Sequence, residues 1–531
     1  MSGYSVQDAE LVVVGGGLAG MMAAVRARQL GMPAALITMS EPGRSGNTPK
    51  AGGGFAVALG SDDSPERHVQ DTLAGGQHAA QVSLVRKMAS EAPRAVRLLE
   101  KLGVRFVRGE NGSISLLRVP GHSVRRGIRC QGGGAAALMD VLVPLVRKSA
   151  TVLERTGARE ILVEDGSVVG VLARREGSDE NLWLRSSRVI LATGGLGALY
   201  PLTTNAAEMC GEGYAMALQA GAELVDMEYI QFTPTCLSHP PALRGVSTGG
   251  MLLAEGGKLF NARGERFMER VDPKRGEATT RDVLARAILR EVLEGRGSPS
   301  GGVYLDLSGI PAEFLNANAG HFIALLATHG MNAGKDRLEI APATHFACGG
   351  VRIDENASTC IPGLLAAGEV TGGTHGANRL SSNGLTDALV FGLVAAETAV
   401  GMSKRPIRSI DNCAVQRDYL EAQASDIHRV RNLMLRYAGM AREKEGLQKG
   451  LQGIEDCWQK VSSANEKRIP LLGRMLATAQ AVMEAALLRE ETRGAHCRLD
   501  FPAALPLPSY YSICIRRGAK ERPMASRISG K

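Results

Sequence analysis

The sequence predicts an α/β protein in which a parallel-sheet domain is interrupted by an inserted domain and followed by a helical one. Three observations predict it. A short apolar run at residues 11–14 leads straight into Gly15-Gly16-Gly17-Leu18-Ala19-Gly20 and a helix-forming stretch. From about residue 235 to 345 the pattern turns loop-rich and then helical, and glycine-rich strand-to-helix grammar returns after residue 363. Beyond residue 406 it is mostly helical with mixed charge.

Taken in order, residues 11–14 are wholly apolar, as a strand buried on both faces of a parallel sheet must be. A helix runs to residue 30 and a second strand covers residues 34–38, which opens a βαβ unit. Helical spacing follows residue 89; residues 152–172 read as two strands joined by the Glu164-Asp165-Gly166 turn. A strand at 188–191 ends in Ala192-Thr193-Gly194-Gly195, residues 281–293 form a helix in the insertion, and 364–367 and 385–400 form a returning strand and helix. The expected domains are residues 1–237 with 346–405, an insertion at 238–345, and a C-terminal helical domain with its tail at 406–531. A chain of 531 residues is long enough for several packed modules.

Composition excludes several classes. With 44% hydrophobic and 22% charged residues, and 65 glycines against 22 prolines, the chain is globular and not disordered. Its net charge of +8 suits small anionic ligands, whereas no basic stripe interleaved with aromatics supports nucleic-acid binding. The basic tail from residue 516 reads as a solvated end. Nine cysteines lack any C-x-x-C spacing, so no metal site is expected and any iron-sulfur relay must belong to a partner. Scattered thiols, a short polar start without signal-peptide order, and no run of roughly 18 apolar residues together predict a soluble, cytoplasmic protein.

Gly15, Gly17 and Gly20 have the dinucleotide fingerprint spacing: one for the tight turn, one for approach of a pyrophosphate, one for packing of helix on strand. The helix start offers unpaired N–H groups to phosphate. Where the fingerprint expects an acid for ribose, the chain has Thr38, with Glu41 three residues later. That departs from an NAD site and remains compatible with FAD.

From residue 11 to about 502 the chain resembles the flavoprotein subunits of fumarate reductase and succinate dehydrogenase, together with L-aspartate oxidase. The motifs are Ala51-Gly52-Gly53-Gly54, Ala192-Thr193-Gly194-Gly195, Cys210-Gly211-Glu212-Gly213 and Gln231-Phe232-Thr233-Pro234-Thr235. Thr280-Arg281-Asp282-Val283, Thr344-His345-Phe346-Ala347-Cys348-Gly349-Gly350, residues 366–370, His375-Gly376-Ala377-Asn378-Arg379-Leu380 and Arg493-Gly494-Ala495-His496 continue the match. The resemblance implies a Rossmann-like FAD-binding domain with a capping insertion. It implies that Gly15, Gly17 and Gly20 face the pyrophosphate, that Ala19 belongs to the cofactor set, and that Ala158, Thr193 and Gly194 lie along the adenosine half. Glu369 would bind ribose and Leu385 would border the isoalloxazine, with Thr38, Thr48, Gly53, Gly54 and Glu212 completing the cofactor set. Arg379 and His345 would hold a substrate carboxylate, and Arg281 matches the family's proton-transferring arginine. A planar guanidinium suits the first role, because it takes a carboxylate in two parallel charge-assisted bonds.

Three departures matter. The covalently flavinylated members carry a histidine where Arg44-Ser45-Gly46-Asn47-Thr48 has none, so FAD is expected to be non-covalent. Thr233 replaces the histidine of the family's Gln-Phe-His-Pro-Thr, and a hydroxyl cannot supply its charge. Residues 247–254 lack the Glu and Arg of the family's proton relay, although Glu255-Gly256-Gly257 remains. The expected activity is therefore hydride transfer between flavin and a small substrate with one carboxylate. An L-aspartate oxidase-like enzyme and an electron-transfer subunit working with an iron-sulfur or other partner are the alternatives.

Overall fold

The computed structural model describes residues 4–132, 134–178, 180–249, 252–253, 255–279, 281–407, 423–463, 471–506, 511–518 and 522–529. Gly250, Met251, Ala254, Thr280 and Cys413, named or spanned in the sequence readings above, lie outside them, as do parts of the basic tail. The chain divides into a first unit of residues 1–199, 206–230 and 346–531, and a second of 200–205 and 231–345.

In the first unit a five-stranded parallel sheet runs in the order Leu364–Ala366, Val189–Leu191, Leu11–Val14, Ala34–Ile37, Ala150–Leu153. Leu11–Val14 sits in its middle and is buried throughout, as its unbroken apolar run requires. The glycine turn then starts the Leu18–Gln29 helix, which packs on the Asn383–Gly401 helix from the far end of the sequence. Thr156–Glu164 and Ser167–Arg175 form the antiparallel hairpin read from sequence, within a mixed sheet in which Asn181–Arg185 pairs antiparallel with Ser167–Arg175 and parallel with Tyr4–Asp8.

The second unit is a four-stranded sheet in the order Ile230–Leu237, Leu338–Ala347, Val303–Asp306, Lys258–Phe260, covered by the Arg281–Leu293 and Ala312–Ala327 helices. It begins earlier than the expected residue 238. The cause is that Ile230–Leu237 is buried along its whole length as a strand of this sheet and shows no alternation to mark a boundary, with Pro234 inside the strand and not at its edge.

The C-terminal part differs more from its reading. Ala424–Tyr437, Lys444–Ser463 and Leu471–Leu488 are helices, but they fall within the first unit. The tail is not a solvated end: Tyr511–Arg517 and Pro523–Ser529 form an antiparallel hairpin on Leu224–Val225. Ile513, Cys514 and Ile515 are fully buried there, and the cations that suggested solvation are paired, Arg516 with Glu223, Arg522 with Glu455 and Arg527 with Glu490. Among the described residues two helices, Asn383–Gly401 and Leu471–Leu488, are long and apolar enough to cross a membrane, and most of each is buried inside the fold.

A buried ionic cluster joins this tail to the body. Arg489 is wholly buried and pairs with Glu228, with Glu491 at 2.9 Å and with Asp226 at 3.2 Å. Arg493 reaches Glu491 at 2.8 Å, and Asp226 also accepts from the Ile513 N–H at 2.9 Å. Burial, helped by Glu228 beside it, pushes the Asp226 carboxyl up to about 7. Removing Arg489 would take the buried cation from Glu228 and Asp226, while Glu491 keeps Arg493, and breaking a buried pair in this way typically costs about 3–5 kcal/mol. Arg489→Leu is expected to lose stability on that scale in chemical denaturation.

Candidate functional site

The glycine turn is closed to side chains by its own neighbours. Gly15 has φ of 120°, and a Cβ there would lie 2.1 Å from the Ala192 carbonyl oxygen; a Cβ on Gly20 would lie 1.9 Å from the Gly15 carbonyl oxygen. Gly17 is the N-cap of the helix and supplies no side-chain cap, and no acid stands in the first turn. That leaves backbone N–H groups and the positive end of the helix dipole for an anion. Thr48 Oγ1 accepts from the Leu18 N–H at 3.1 Å, which ties residues 47–48 to this turn.

Around it the structure gathers most of the predicted cofactor residues. Thr38 is buried at the end of its strand, its hydroxyl against Gly16. Thr193 Oγ1 is buried without a hydrogen-bond partner, and Gly194, with φ of 74°, follows it. Gly195 lies so close to Glu369 that a Cβ would sit 2.1 Å from Oε1. The Glu369 carboxylate accepts from Asn47 Nδ2 at 3.0 Å and from the Ala347 N–H at 3.2 Å, and burial raises its pKa. Gly53 abuts Gly134, Gly54 abuts Ser382, and Leu385 is half-buried in the first turn of its helix. Ala158 lies on the Thr156–Glu164 strand. Glu212 is taken by an ion pair with the buried Arg474 at 2.7 Å. Arg379 is 7% exposed; its Nη1 donates to the Leu380 carbonyl at 3.1 Å and its guanidinium lies 4.6 Å from the centre of the Phe346 ring.

The remaining predicted residues belong to the second unit. Thr233 and His345 lie on neighbouring strands of its sheet. His345 Nδ1 is bonded to the Thr204 hydroxyl at 2.8 Å, and its carbonyl accepts from Asn205 at 2.9 Å. Arg281 opens the Arg281–Leu293 helix; burial lowers the pKa of its guanidinium, with the Cys236 thiol nearby.

A family model described as "FAD binding domain" matches residues 10–385, and one described as "Fumarate reductase flavoprotein C-term" matches residues 427–506. The chain belongs to the fumarate reductase and succinate dehydrogenase flavoprotein family. Its relatives include one of the subunits of fumarate reductase (CoM/CoB) from Methanothermobacter marburgensis, 36% identical over 94% of this chain and 95% of that one. L-aspartate oxidase of Caulobacter vibrioides is 37% identical over 96% of each. Among solved structures, a variant of E. coli quinol fumarate reductase superposes with a TM-score of 0.89 at 27% identity over 99% of both chains. Mycobacterium smegmatis Sdh1 gives 0.88 at 28% identity over 99% of this chain and 95% of that one.

The protein is thus an FAD-dependent oxidoreductase of this family. Its residues fit the cofactor: a helix start without side-chain cap, Gly15 and Gly20 where a Cβ would strike backbone, and a buried carboxylate, Glu369, beside Gly195. Sequence reading missed Asn47, which holds Glu369 and also accepts from the Ala206 N–H at 3.0 Å, and Arg474, which fixes Glu212. It also missed a buried pair, His375 and Asp387, 4.0 Å apart in the segment around Arg379. Pairing across such separations leaves no local pattern in the chain.

The glycine turn and the buried titratable groups each give a measurable outcome. Gly15→Ala combines a forced left-handed φ with a backbone clash, and it is expected to purify without flavin colour, checked by absorption of the released cofactor. The pH dependence of stability has a definite sign. Burial pushes His68, His122 and His375 down to about 3, 4 and 3, so below 6.5 the unfolded chain binds protons that the fold does not, and stability is lost toward pH 4. Asp226 and Asp387, both raised to about 7 by burial, work oppositely, holding protons that the unfolded chain releases above 3.8. His496, also held well below its usual value by burial, joins the first set, and Glu369, raised by burial, joins the second. The contribution of one group is read by its own variant: the melting temperature of Asp387→Asn relative to wild type should rise with pH between 3.8 and 7, because the variant has no buried carboxyl to ionise.

Proposed function

We propose that the enzyme transfers a hydride between non-covalently bound FAD and a small substrate with one carboxylate. Arg379, with His345, holds that carboxylate, Arg281 handles the proton, and Thr233 meets a part of the substrate that carries no charge. The observation that carries this reading is the buried guanidinium of Arg379, steadied by Phe346 in the segment leading into the helix that bears Leu385. Such a cation can bind a carboxylate through two parallel N–H donors and fix the neighbouring carbon. When bound, FAD supplies the redox chemistry.

His345 is oriented by Thr204, which favours a fixed donor over a mobile one. Arg281 as a proton donor is unusual for a group with a pKa ordinarily above about 12, and burial moves it in the direction that the role needs. With no C-x-x-C motif in the sequence, an iron-sulfur relay would reside on a partner, and the Methanothermobacter relative is itself one component of a larger enzyme by its name. L-aspartate oxidase activity is the second reading, supported by a relative of 37% identity and opposed by Thr233. Peroxide formation with L-aspartate would establish it.

The test is the anaerobic visible spectrum of the FAD-loaded protein as dicarboxylates, amino acids and enoates are added to oxidised and to chemically reduced enzyme. Bleaching by a saturated monocarboxylate, or recolouring by an unsaturated one, is the expected result. A response to dicarboxylates alone would overturn the proposed substrate class. Arg379→Ala should abolish the substrate-dependent change, a loss of at least about 100-fold in rate, while FAD content stays near wild type.

A further inference from the structure

We propose that His122 and His68 are positioning residues for Arg379: they fix the turn at residues 379–383 and thereby the charge that Arg379 presents to bound FAD. The inference rests on the reading of Arg379 given above.

The turn closes with a bond from the Asn383 N–H to the Leu380 carbonyl at 3.3 Å and still holds a residue in the left-handed region. Ser382, a non-glycine residue, has φ of 68°, and as N-cap of the Asn383–Gly401 helix it makes no side-chain cap bond. Such a conformation persists when its surroundings impose it. Here two histidines distant in sequence do so. His122 Nε2 donates to the Ser381 carbonyl at 2.9 Å; a carbonyl only accepts, so the proton must be on Nε2. His68 Nε2 donates to Asn383 Oδ1 at 2.9 Å, and Asn383 Nδ2 in turn donates to Thr72 Oγ1 at 3.0 Å. Leu380 fills a slot between two glycines, for a Cβ on Gly75 or Gly121 would lie 2.3 or 2.4 Å from its Cδ2. On the other side the chain's own Leu380 carbonyl and the Phe346 ring hold the Arg379 guanidinium.

The histidines are themselves anchored. Ser123 donates its N–H and its hydroxyl to Asp71, each at 2.9 Å, which ties the loop carrying His122 to the Pro65–Gly75 helix carrying His68. The wholly buried Arg126 bridges Asp71 and Asp63, both at 2.9 Å. The two imidazole rings stand 5.6 Å apart. Burial and the Arg126 charge hold both rings neutral, so the bonds are made without a competing cation beside Arg379.

The test compares the flavin midpoint potential of FAD-loaded wild type, Arg379→Ala, His122→Phe, His122→Gln and the His122→Phe/Arg379→Ala double variant. A cation near the flavin favours its more negative reduced form, so Arg379→Ala should lower the potential. His122→Phe keeps the ring volume without a donor and should reproduce about half of that drop or more. His122→Gln keeps a donor and should stay near wild type. The double variant should match Arg379→Ala, since the histidine has nothing left to place. His68→Leu against His68→Gln reads the second bond in the same way, and stands in if His122→Phe fails to retain FAD. An unchanged potential in Arg379→Ala would overturn the reading of Arg379 and this inference with it. A drop in Arg379→Ala that His122→Phe does not share, that His122→Gln shares equally, or that adds in the double variant would overturn the positioning role alone.

Discussion

The first unit depends on backbone lying directly on backbone where its Leu18–Gln29 and Asn383–Gly401 helices cross. A Cβ at Gly392 would fall 2.5 Å from the Ala19 carbonyl oxygen, so the Asn383–Gly401 helix can seat only with hydrogen at that position. Ala19 stands in the first turn after Gly17, and Gly20 next to it lies against Gly15. One contact therefore sets the glycine turn and the helix that carries Leu385 at a fixed relation, although hundreds of residues separate them. Van der Waals packing this close is unforgiving of added volume, which is why small residues hold both sides.

Charge does the corresponding work toward the C-terminus. Arg474 reaches Glu212, Thr478 reaches the Gly211 carbonyl, and the Arg489 cluster joins Asp226, Glu228 and Glu491. Buried ion pairs of this kind contribute little net stability against an apolar alternative, yet breaking one is costly. Through them the C-terminal helices and tail are tied to the rest of the first unit by buried charge as well as by apolar packing. That packing holds the Glu212–Gln219 helix, whose N-terminus follows the Cys210-Gly211 turn beside the cofactor residues.

Legibility in the sequence follows the range of each interaction. The strand, turn and helix at residues 11–29 and the helix at 383–401 were readable because each is written in consecutive residues. The 511–517 strand was not, because its apolar core of Ile513, Cys514 and Ile515 is three residues long and stands among cations whose partners are far away. The start of the second unit was misplaced because a strand buried along its length has no periodicity to read. In the site, Gly15, Thr193, Glu369 and Arg379 stood in motifs, whereas His68, His122, Asn47 and Arg474 act through single bonds to distant residues. A lone histidine carries no mark of the carbonyl it will meet.

Burial also governs where the second unit departs from the family motifs. In the second unit the segment that departs from the family's charged relay does not merely lack charge: Leu252 and Leu253 are buried in that unit's hydrophobic core with Leu237, Leu259 and Ile288. No cation can reach out from those positions, and Thr233, 6% exposed, offers only a hydroxyl and a methyl. Arg281, buried with the Cys236 thiol nearby, keeps a charge in this unit, so the departures lie at particular positions and not in the unit as a whole. Leucines and a hydroxyl at those positions follow the same rule of burial that shapes the core around them: a side chain enclosed without a partner is cheapest when it carries no charge.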